Sequence, residues 1–242
     1  MATLPQDHRV YAVGDIHGCL GMLIELEALI RQDAATAPEP RKTIVYLGDY
    51  VDRGADSAAV IDHLLRPMEG FERVFLRGNH EDFLLRFVAG DEDGLQRGGV
   101  WMFNGGDATL RSYGVDVPPF AIGPPVMREL RDRFDRALPT AHRAFLKATA
   151  TSHRIGGYFF AHAGVRPGRP LDMQEPEDLM WIREPFLWSD EDLGAVVVHG
   201  HTPVERPEIR SNRINVDTGA VYNGHLTAVV LSGTQTSFLS AG

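Results

Sequence analysis

The sequence has a single cysteine, Cys19, so no disulfide can form within the chain. Scarcity of cysteine is typical of proteins that work in a reducing compartment, and we therefore expect a cytoplasmic protein. Hydrophobic runs are short, and none approaches the ~20 apolar residues that a membrane-spanning helix requires. The N-terminal residues 1–9 also lack the apolar stretch of a signal peptide. We therefore expect neither membrane insertion nor secretion.

Basic residues are outnumbered, with 24 Lys and Arg against 33 Asp and Glu, and the net charge is −9. This excess of acid disfavours nucleic acids and anionic membranes as partners. It does not exclude a small anionic substrate, because metal ions and a few arginines can supply local positive charge. Hydrophobic residues make up 43% of the 242 residues, enough for one large α/β core. We expect one domain over residues 1–242.

Several common catalytic motifs are missing from the sequence. It has no Gly-x-x-x-x-Gly-Lys phosphate loop, no His-Glu-x-x-His helix and no Gly-x-Ser-x-Gly elbow. An NTPase, a zinc protease of the His-Glu-x-x-His type and a serine hydrolase are therefore disfavoured.

The most informative stretch is Gly48-Asp49-Tyr50-Val51-Asp52-Arg53-Gly54. It follows an apolar, β-branched run at residues 42–47 that predicts a buried strand, and a helical pattern resumes at residues 56–65. Carboxylates after a strand are typical of the edge where an α/β sheet places its chemistry. A solvated loop with a chance ion pair is the alternative for this stretch taken alone.

Polar residues follow other predicted strands in the same way. Asp15 and His17 come after residues 9–13, and the helical pattern of residues 20–32 follows them. The remaining strand ends are predicted at residues 76, 161 and 198, and the polar residues after them are Arg77, Asn79, His80, His162 and His201. Any one loop could be a turn, a helix cap or a buried structural histidine. Their repetition in strand–loop register instead favours one shared site.

Residues 91–152 separate the third of these loops from the fourth. We predict a loop at residues 91–99, a broken helix near residues 101–113, and helices at residues 126–138 and 139–149. This helical insertion is a candidate substrate cap, with a purely structural subdomain as the alternative. Residues 171–189 are predicted as a long loop, and further strands at residues 214–217, 226–231 and 236–239.

The candidate ligands offer oxygen and imidazole nitrogen without a thiolate. That donor set suits Mn²⁺, Fe or Zn²⁺ better than it suits a thiolate zinc site. There are more candidates than one tetrahedral ion can use, which indicates two metal ions. Asp49 could bridge them at a separation of about 3.5–4 Å.

The set of loops resembles the motif set of the calcineurin-like metallophosphoesterases, and more narrowly the bacterial and phage-type serine/threonine phosphoprotein phosphatases. The likeness covers residues 9–90 and 155–231 and is carried by Gly14-Asp15-Ile16-His17-Gly18, Gly48-Asp49-Tyr50-Val51-Asp52-Arg53-Gly54, Arg77-Gly78-Asn79-His80-Glu81, His162-Ala163-Gly164 and Gly200-His201-Thr202-Pro203. It implies an α/β fold in which a two-sheet β-sandwich is flanked by helices (α/β/β/α).

The resemblance also implies a role for each matching residue. One metal ion would be held by Asp15, His17 and Asp49, and the other by Asp49, Asn79, His162 and His201. The implied general acid is His80, supported by Asp52, and the implied phosphate-binding residues are Arg53, Arg77 and Arg183. The implied reaction is direct in-line attack on phosphorus by a hydroxide that bridges two divalent metal ions, most simply Mn²⁺.

The expected substrate is a phosphorylated protein or a small phosphoester, hydrolysed by a serine/threonine protein phosphatase. The first alternative is a dinucleoside polyphosphate hydrolase of the diadenosine tetraphosphate type. Such enzymes commonly lack an acid at the position of Asp52 and have aspartate where Glu81 stands, and both residues here favour the phosphoprotein branch. The other alternative is a non-catalytic phosphate-binding regulator, which would be expected to have lost a ligand or the acid.

Overall fold

The computed structural model describes residues 2–90, 92–119 and 123–242. The strands are β1 (His8–Val13), β2 (Arg41–Tyr46), β3 (Glu72–Phe75), β4 (Ser152–Ile155), β5 (Tyr158–Ala161), β6 (Val196–His199), β7 (Glu208–Ile209), β8 (Arg213–Asn215), β9 (Leu226–Ser232) and β10 (Gln235–Ala241). The α-helices are α1 (Leu20–Thr36), α2 (Ser57–Leu65), α3 (Asn79–Ala89), α4 (Glu92–Trp101), α5 (Asp107–Ser112), α6 (Pro124–Ala137), α7 (Thr140–Ala148), α8 (Pro176–Trp181) and α9 (Ala220–Asn223).

The strands form two five-stranded sheets. The first has the order β10-β9-β1-β2-β3, with β1, β2 and β3 parallel and β9 and β10 antiparallel. The second has the order β4-β5-β6-β8-β7, with β5, β6 and β8 parallel between antiparallel edge strands. The parallel strands of each sheet end at a common edge, which is where their following loops meet.

Alternation of side chains along the strands divides the core into layers. In β1, Val10 and Ala12 face the second sheet, while Tyr11 and Val13 face the helices that cover the first sheet. In β5, Phe160 faces the first sheet, and its neighbours pack on the outer side of the second. The central strands β1 and β5 therefore bury both faces, as expected for sheets stacked between helices. This arrangement confirms the two-sheet α/β fold that the resemblance implies.

The helical insertion shares the core of the first sheet. Trp101, Leu110 and Phe134 belong to the same apolar cluster as Tyr11 and Tyr46 of the sheet. The broken helix predicted at residues 101–113 is present as a π-helical turn (Met102–Gly106), interrupted at Gly105, and α5. No helix within the described ranges combines the length and the hydropathy needed to cross a bilayer.

Two predicted loops contain helices. Residues 91–99 were predicted as a loop, but α4 begins at Glu92 (residue 91 lies outside the described residues). A Cβ at Gly98 would lie 3.0 Å from the ring of Phe87, so glycine lets α4 pack closely on α3. This packing offsets the low helix propensity of glycine. Residues 171–189 likewise contain α8 and two short 3₁₀ turns rather than one long loop.

Candidate active site

The loops after β1, β2, β3, β5 and β6 converge where the two sheets meet. Their backbone is unusual, because several residues adopt the left-handed conformation that normally favours glycine. Within the described ranges, every non-glycine residue with positive φ lies in these loops: His17, Asp49, Asp52, Arg53 and His201. Strain of this kind is held only where the surrounding structure determines the loop, and it is typical of functional sites.

Glu81 anchors the loop after β2. Its buried carboxylate accepts hydrogen bonds from the backbone N–H groups of Asp49 and Tyr50, both at 2.8 Å, and of Gly78 at 2.9 Å. Burial and the neighbouring Asp49 raise the pKa of Glu81 to about 7. The side chain thus joins two of the converging loops without itself reaching the centre of the site.

Asp49 lies at the centre of the cluster and is almost fully buried. Its carboxylate is 3.5 Å from His17 Nε2, 3.4 Å from His162 Nε2 and 3.8 Å from His80 Nε2. Burial alone opposes ionisation, but His162 and His80 hold the pKa of Asp49 well below its ordinary value. Asp49 is shared by two compact triads, one completed by His17 and His80 and the other by His162 and His201.

Backbone carbonyls set the orientation of two of these imidazoles. His17 Nδ1 lies 2.9 Å from the carbonyl of Val51, and His162 Nδ1 lies 3.0 Å from the carbonyl of Leu47. Because a carbonyl oxygen only accepts, Nδ1 must carry the proton in each case. The Nε2 atom of each ring therefore faces Asp49, the arrangement by which proteins orient a histidine to bind metal.

The second triad and the neighbouring Asn79 bring together atoms that could act as ligands of a cation. His162 Nε2 lies 2.9 Å from Asn79 Oδ1, and both atoms are acceptors when His162 is neutral. His201 donates from Nδ1 to the same oxygen at 2.8 Å, and its Nε2 is buried without a hydrogen-bond partner. Burial disfavours a charged His162, yet Asp49 and Asp15 raise its pKa to about 9. A divalent ion bound among these atoms would satisfy them all, so the residues fit a metal site.

Asp15 lies beside the second triad and is paired with a residue that the sequence did not single out. It accepts from the backbone N–H of His201 at 3.1 Å and neighbours the buried Asp217. Burial and Asp217 raise the pKa of Asp15 well above its ordinary value, and burial raises that of Asp217 to about 6. Positive charge from a metal ion would relieve this crowding of carboxylates. One feature of the sequence could have identified Asp217: it lies two residues after the end of β8, in a turn that contains glycine.

His80 and Asp52 form a separate pair at the edge of the cluster. His80 Nδ1–H donates to Asp52 Oδ2 at 2.6 Å, which leaves Nε2 facing the cluster. Burial lowers the pKa of His80, but Asp49 and the hydrogen bond to Asp52 outweigh burial and raise it above its ordinary value. A protonated imidazole held in this way can donate a proton to a bound substrate.

Arg53 and Arg183 lie beside the cluster. Arg53 Nη1 donates to His17 Nε2, and its guanidinium lies 5.3 Å from the ring centre of the exposed Tyr222. Arg183 is exposed and donates from Nη2 to the carbonyl of His201 at 3.4 Å. Both guanidinium groups therefore contact residues of the cluster.

The structure does not bring Arg77 to the site, which corrects the phosphate-binding role expected for it. Its guanidinium donates to Thr149 Oγ1 at 3.0 Å and to the carbonyls of Lys147, at 3.0 Å, and Thr149, at 3.3 Å. These groups lie at and just beyond the C-terminal end of α7, where a cation complements unpaired carbonyls and the helix dipole. The physical reason is the pairing of residues 76–77 with residue 150, which directs the side chain towards the insertion.

Arg77→Met should therefore affect stability rather than catalysis. We expect the free energy of unfolding to fall by about 1–2 kcal/mol, because the half-buried guanidinium makes several charge-assisted hydrogen bonds. Catalytic efficiency should stay within about threefold of the wild type. Chemical denaturation and steady-state kinetics on one preparation measure both quantities.

The matched control is Arg53→Met, which removes a guanidinium that does lie at the cluster. It should lower kcat/KM by ~10²-fold, the typical effect of losing one preorganised donor to transition-state charge. A loss of that size for Arg77→Met would return Arg77 to the phosphate-binding set.

Comparisons with known proteins give a family and several relatives for the chain. The calcineurin-like phosphoesterase family model matches residues 8–230. A bis(5'-nucleosyl)-tetraphosphatase PrpE [asymmetrical] of Anoxybacillus flavithermus is 29% identical, over 90% of this chain and 88% of its own. Serine/threonine-protein phosphatase 1 of Salmonella typhimurium is 31% identical, over 90% of this chain and 89% of its own. The crystal structure of a candidate diadenosine tetraphosphatase shares the fold with a TM-score of 0.65 at 24% identity, covering 100% of this chain and 99% of that one.

Proposed function

Because the chain belongs to the calcineurin-like phosphoesterase family, we propose that it is a serine/threonine protein phosphatase. The observation that carries this choice is the buried His80–Asp52 pair beside the cluster. An alkoxide leaving group, as in phosphoserine or phosphothreonine, is strongly basic and departs readily only when it is protonated. A phosphoanhydride releases a much weaker base, so a dedicated acid matters less for a dinucleotide.

We propose two divalent metal ions, Mn²⁺ first and Fe or Zn²⁺ as alternatives. Their proposed ligands are Asp15, His17 and Asp49 for one ion, and Asp49, Asn79, His162 and His201 for the other. When bound, such ions lower the pKa of a water molecule towards neutrality and neutralise phosphoryl charge. The two triads support His17, Asp49, His162 and His201 as ligands. Asn79 and Asp15 contact the second triad, whereas His80 is assigned to Asp52 rather than to a metal ion because its Nδ1–H is bonded to that carboxylate.

The proposed roles of the other residues follow from their positions. Arg53 and Arg183 would bind the equatorial phosphoryl oxygens and stabilise the charge that develops on them. A water molecule supplies the oxygen that joins phosphorus, and the bond from phosphorus to the serine or threonine oxygen breaks. His80 passes the proton on Nε2 to that departing oxygen, while Asp52 holds the Nδ1–H and stabilises the imidazolium beforehand. The products are a free hydroxyl side chain and inorganic phosphate.

Hydrolysis of a dinucleoside polyphosphate is a second candidate. The resemblance to the Anoxybacillus flavithermus protein supports it, over nearly the same share of the chain as the Salmonella phosphatase. The same cluster would serve an anhydride as well as an ester. A non-catalytic regulator is less well supported, because each ligand position and the acid position is filled.

A panel of substrates separates the candidates. Mn²⁺-loaded protein should hydrolyse phosphoserine and phosphothreonine peptides with a kcat/KM at least about tenfold above that for diadenosine tetraphosphate, because the acid assists only the ester appreciably. Initial rates of phosphate release and nucleotide chromatography measure the two reactions side by side. A large preference for the dinucleotide would instead identify the second candidate, and inactivity on every substrate would favour the regulator.

A further inference from the structure

The carboxylate of Asp52 is held by side chains of the helical insertion as well as by His80. Trp101 Nε1–H donates to Asp52 Oδ2 at 2.7 Å, and the hydroxyl of Thr109 donates to Oδ1 at 2.5 Å. Asp52, Trp101 and Thr109 have no exposed surface, so water does not compete for these bonds. Two of the donors on this carboxylate thus come from residues about 50 positions further along the chain.

The insertion also holds the backbone on either side of that carboxylate. The N–H of Asp52 donates to Thr109 Oγ1 at 2.8 Å, and the N–H of Arg53 donates to the carbonyl of Gly105 at 3.1 Å. Gly105 has a φ of 99°, and a Cβ on it would lie 2.7 Å from the backbone nitrogen of Arg53. The π-helical turn therefore lies directly against the residues that carry the proposed acid partner and the phosphate ligand.

Packing restrains the indole of Trp101. Its ring centre lies 4.9 Å from that of Phe87 and 6.1 Å from that of Phe134. A Cβ on Gly106 would lie 2.6 Å from the same indole, so the turn closes tightly over it. An indole fixed in this way cannot follow Asp52 if the carboxylate rotates, and it therefore restricts the carboxylate to one orientation.

We propose that Trp101 and Thr109 are positioning residues for the general acid. They hold the Asp52 carboxylate in the plane that receives His80 Nδ1–H, which keeps His80 Nε2 directed at the leaving oxygen. The insertion is then part of the catalytic machinery rather than only a cap or a structural subdomain. This inference rests on the proposed function in one respect, that His80 is the acid for an ester substrate.

Substrates with different leaving groups separate positioning from stability. Thr109→Val and Trp101→Phe should each lower kcat for a phosphoserine peptide by ~10-fold, the typical effect of losing one hydrogen bond to a charged group. The kcat for 4-nitrophenyl phosphate should change by less than about threefold, because its weakly basic leaving group needs no proton. Thr109→Ser keeps the hydroxyl and should recover most of the loss.

The matched packing control is Phe87→Leu, which disturbs the environment of Trp101 without removing a donor from Asp52. Phe87→Leu should change kcat for the phosphoserine peptide and for 4-nitrophenyl phosphate by the same factor. The proposal is overturned if Trp101→Phe and Thr109→Val also lower kcat by the same factor for the phosphoserine peptide and for 4-nitrophenyl phosphate, since a structural role predicts that pattern.

A double-mutant cycle tests whether these residues act through His80. In a His80→Asn background, Thr109→Val should have no further effect on the phosphoserine peptide, because the group that it positions is already gone. A full additional ~10-fold loss in that background would show that Thr109 acts independently of the acid, contrary to the proposal.

Nuclear magnetic resonance of the indole N–H groups gives a readout that does not depend on turnover. The resonance of Trp101, assigned as the one lost in Trp101→Phe, should move upfield in Asp52→Asn, because the charged acceptor is removed. An unchanged resonance would overturn the proposed contact. If the wild type is inactive but the resonance moves, the proposed function has failed while the hydrogen bond has not.

Discussion

Asp49→Asn is expected to leave the protein folded but without most of its metal and its activity. Asp49 is the residue shared by both triads, so loss of its charge weakens both sites at once. We expect bound Mn²⁺ to fall from about two ions per chain to one or fewer, and kcat/KM to fall on the order of 10³-fold or more on every substrate. Elemental analysis and initial rates on one preparation give both values.

Asparagine is the right replacement at this position. Asp49 has a φ of 51°, and asparagine tolerates the left-handed region better than alanine. Its side-chain oxygen can still accept the backbone N–H of His80, as Asp49 Oδ1 does at 3.1 Å. Asp135→Asn, at an exposed ion pair with Arg143, controls for the change in net charge. Full metal content and activity in Asp49→Asn would contradict the bridging role.

His80→Asn is expected to retain metal but to lose turnover selectively. On phosphoserine and phosphothreonine peptides we expect kcat to fall by ~10²–10⁴-fold, the usual worth of a positioned general acid. The loss on 4-nitrophenyl phosphate should be less than about tenfold, because that leaving group departs without a proton. Steady-state kinetics on both substrates, together with metal analysis, separate this pattern from that of Asp49→Asn.

His63→Asn is the matched control for His80→Asn. His63 also pairs with a carboxylate, at 2.8 Å from Glu27, but it lies outside the cluster. His63→Asn should therefore leave unchanged the ratio of kcat on the phosphopeptides to kcat on 4-nitrophenyl phosphate. Equal losses on both substrates in His80→Asn, or wild-type rates on the peptides, would show that His80 is not the acid.

The sequence could predict the α/β class and most of the cluster because both depend on local patterns, whereas the two-sheet sandwich was implied only by the family resemblance. Apolar β-branched runs marked the strands, and the residues directly after them were Asp15, Asp49, Asn79, His162 and His201. Parallel strands of one sheet end at the same edge, so residues far apart in sequence had to meet there. The convergence of these loops in the structure follows from that rule together with the stacking of the two sheets.

The remaining features depend on contacts between distant parts of the chain. Arg77 directly precedes the Gly78-Asn79 turn, but the pairing of residues 76–77 with residue 150 directs its guanidinium to the end of α7. Asp217 joins the site because the end of β8 lies against the end of β1, where a Cβ on Gly14 would lie 2.4 Å from the carbonyl of Val216. No local pattern carries that information.

The helical insertion also has features that local sequence patterns could not predict. The Asn104-Gly105-Gly106 sequence indicated a break in a helix but gave no reason for it. The reason lies in the tertiary contacts, since Gly105 lies against Arg53 and Gly106 against the indole of Trp101. Residue types near residues 101–109 could therefore indicate a broken helix, whereas the hydrogen bonds of Trp101 and Thr109 to Asp52 required the folded chain.

The most direct test of the two-metal account is an anomalous difference map from crystals grown with Mn²⁺. We predict two peaks per chain on either side of the Asp49 carboxylate, one beside His17 and the other beside Asn79, His162 and His201. Two peaks at these positions would support the proposed centre in full. A single peak, peaks away from Asp49, or no peak at saturating Mn²⁺ would contradict it.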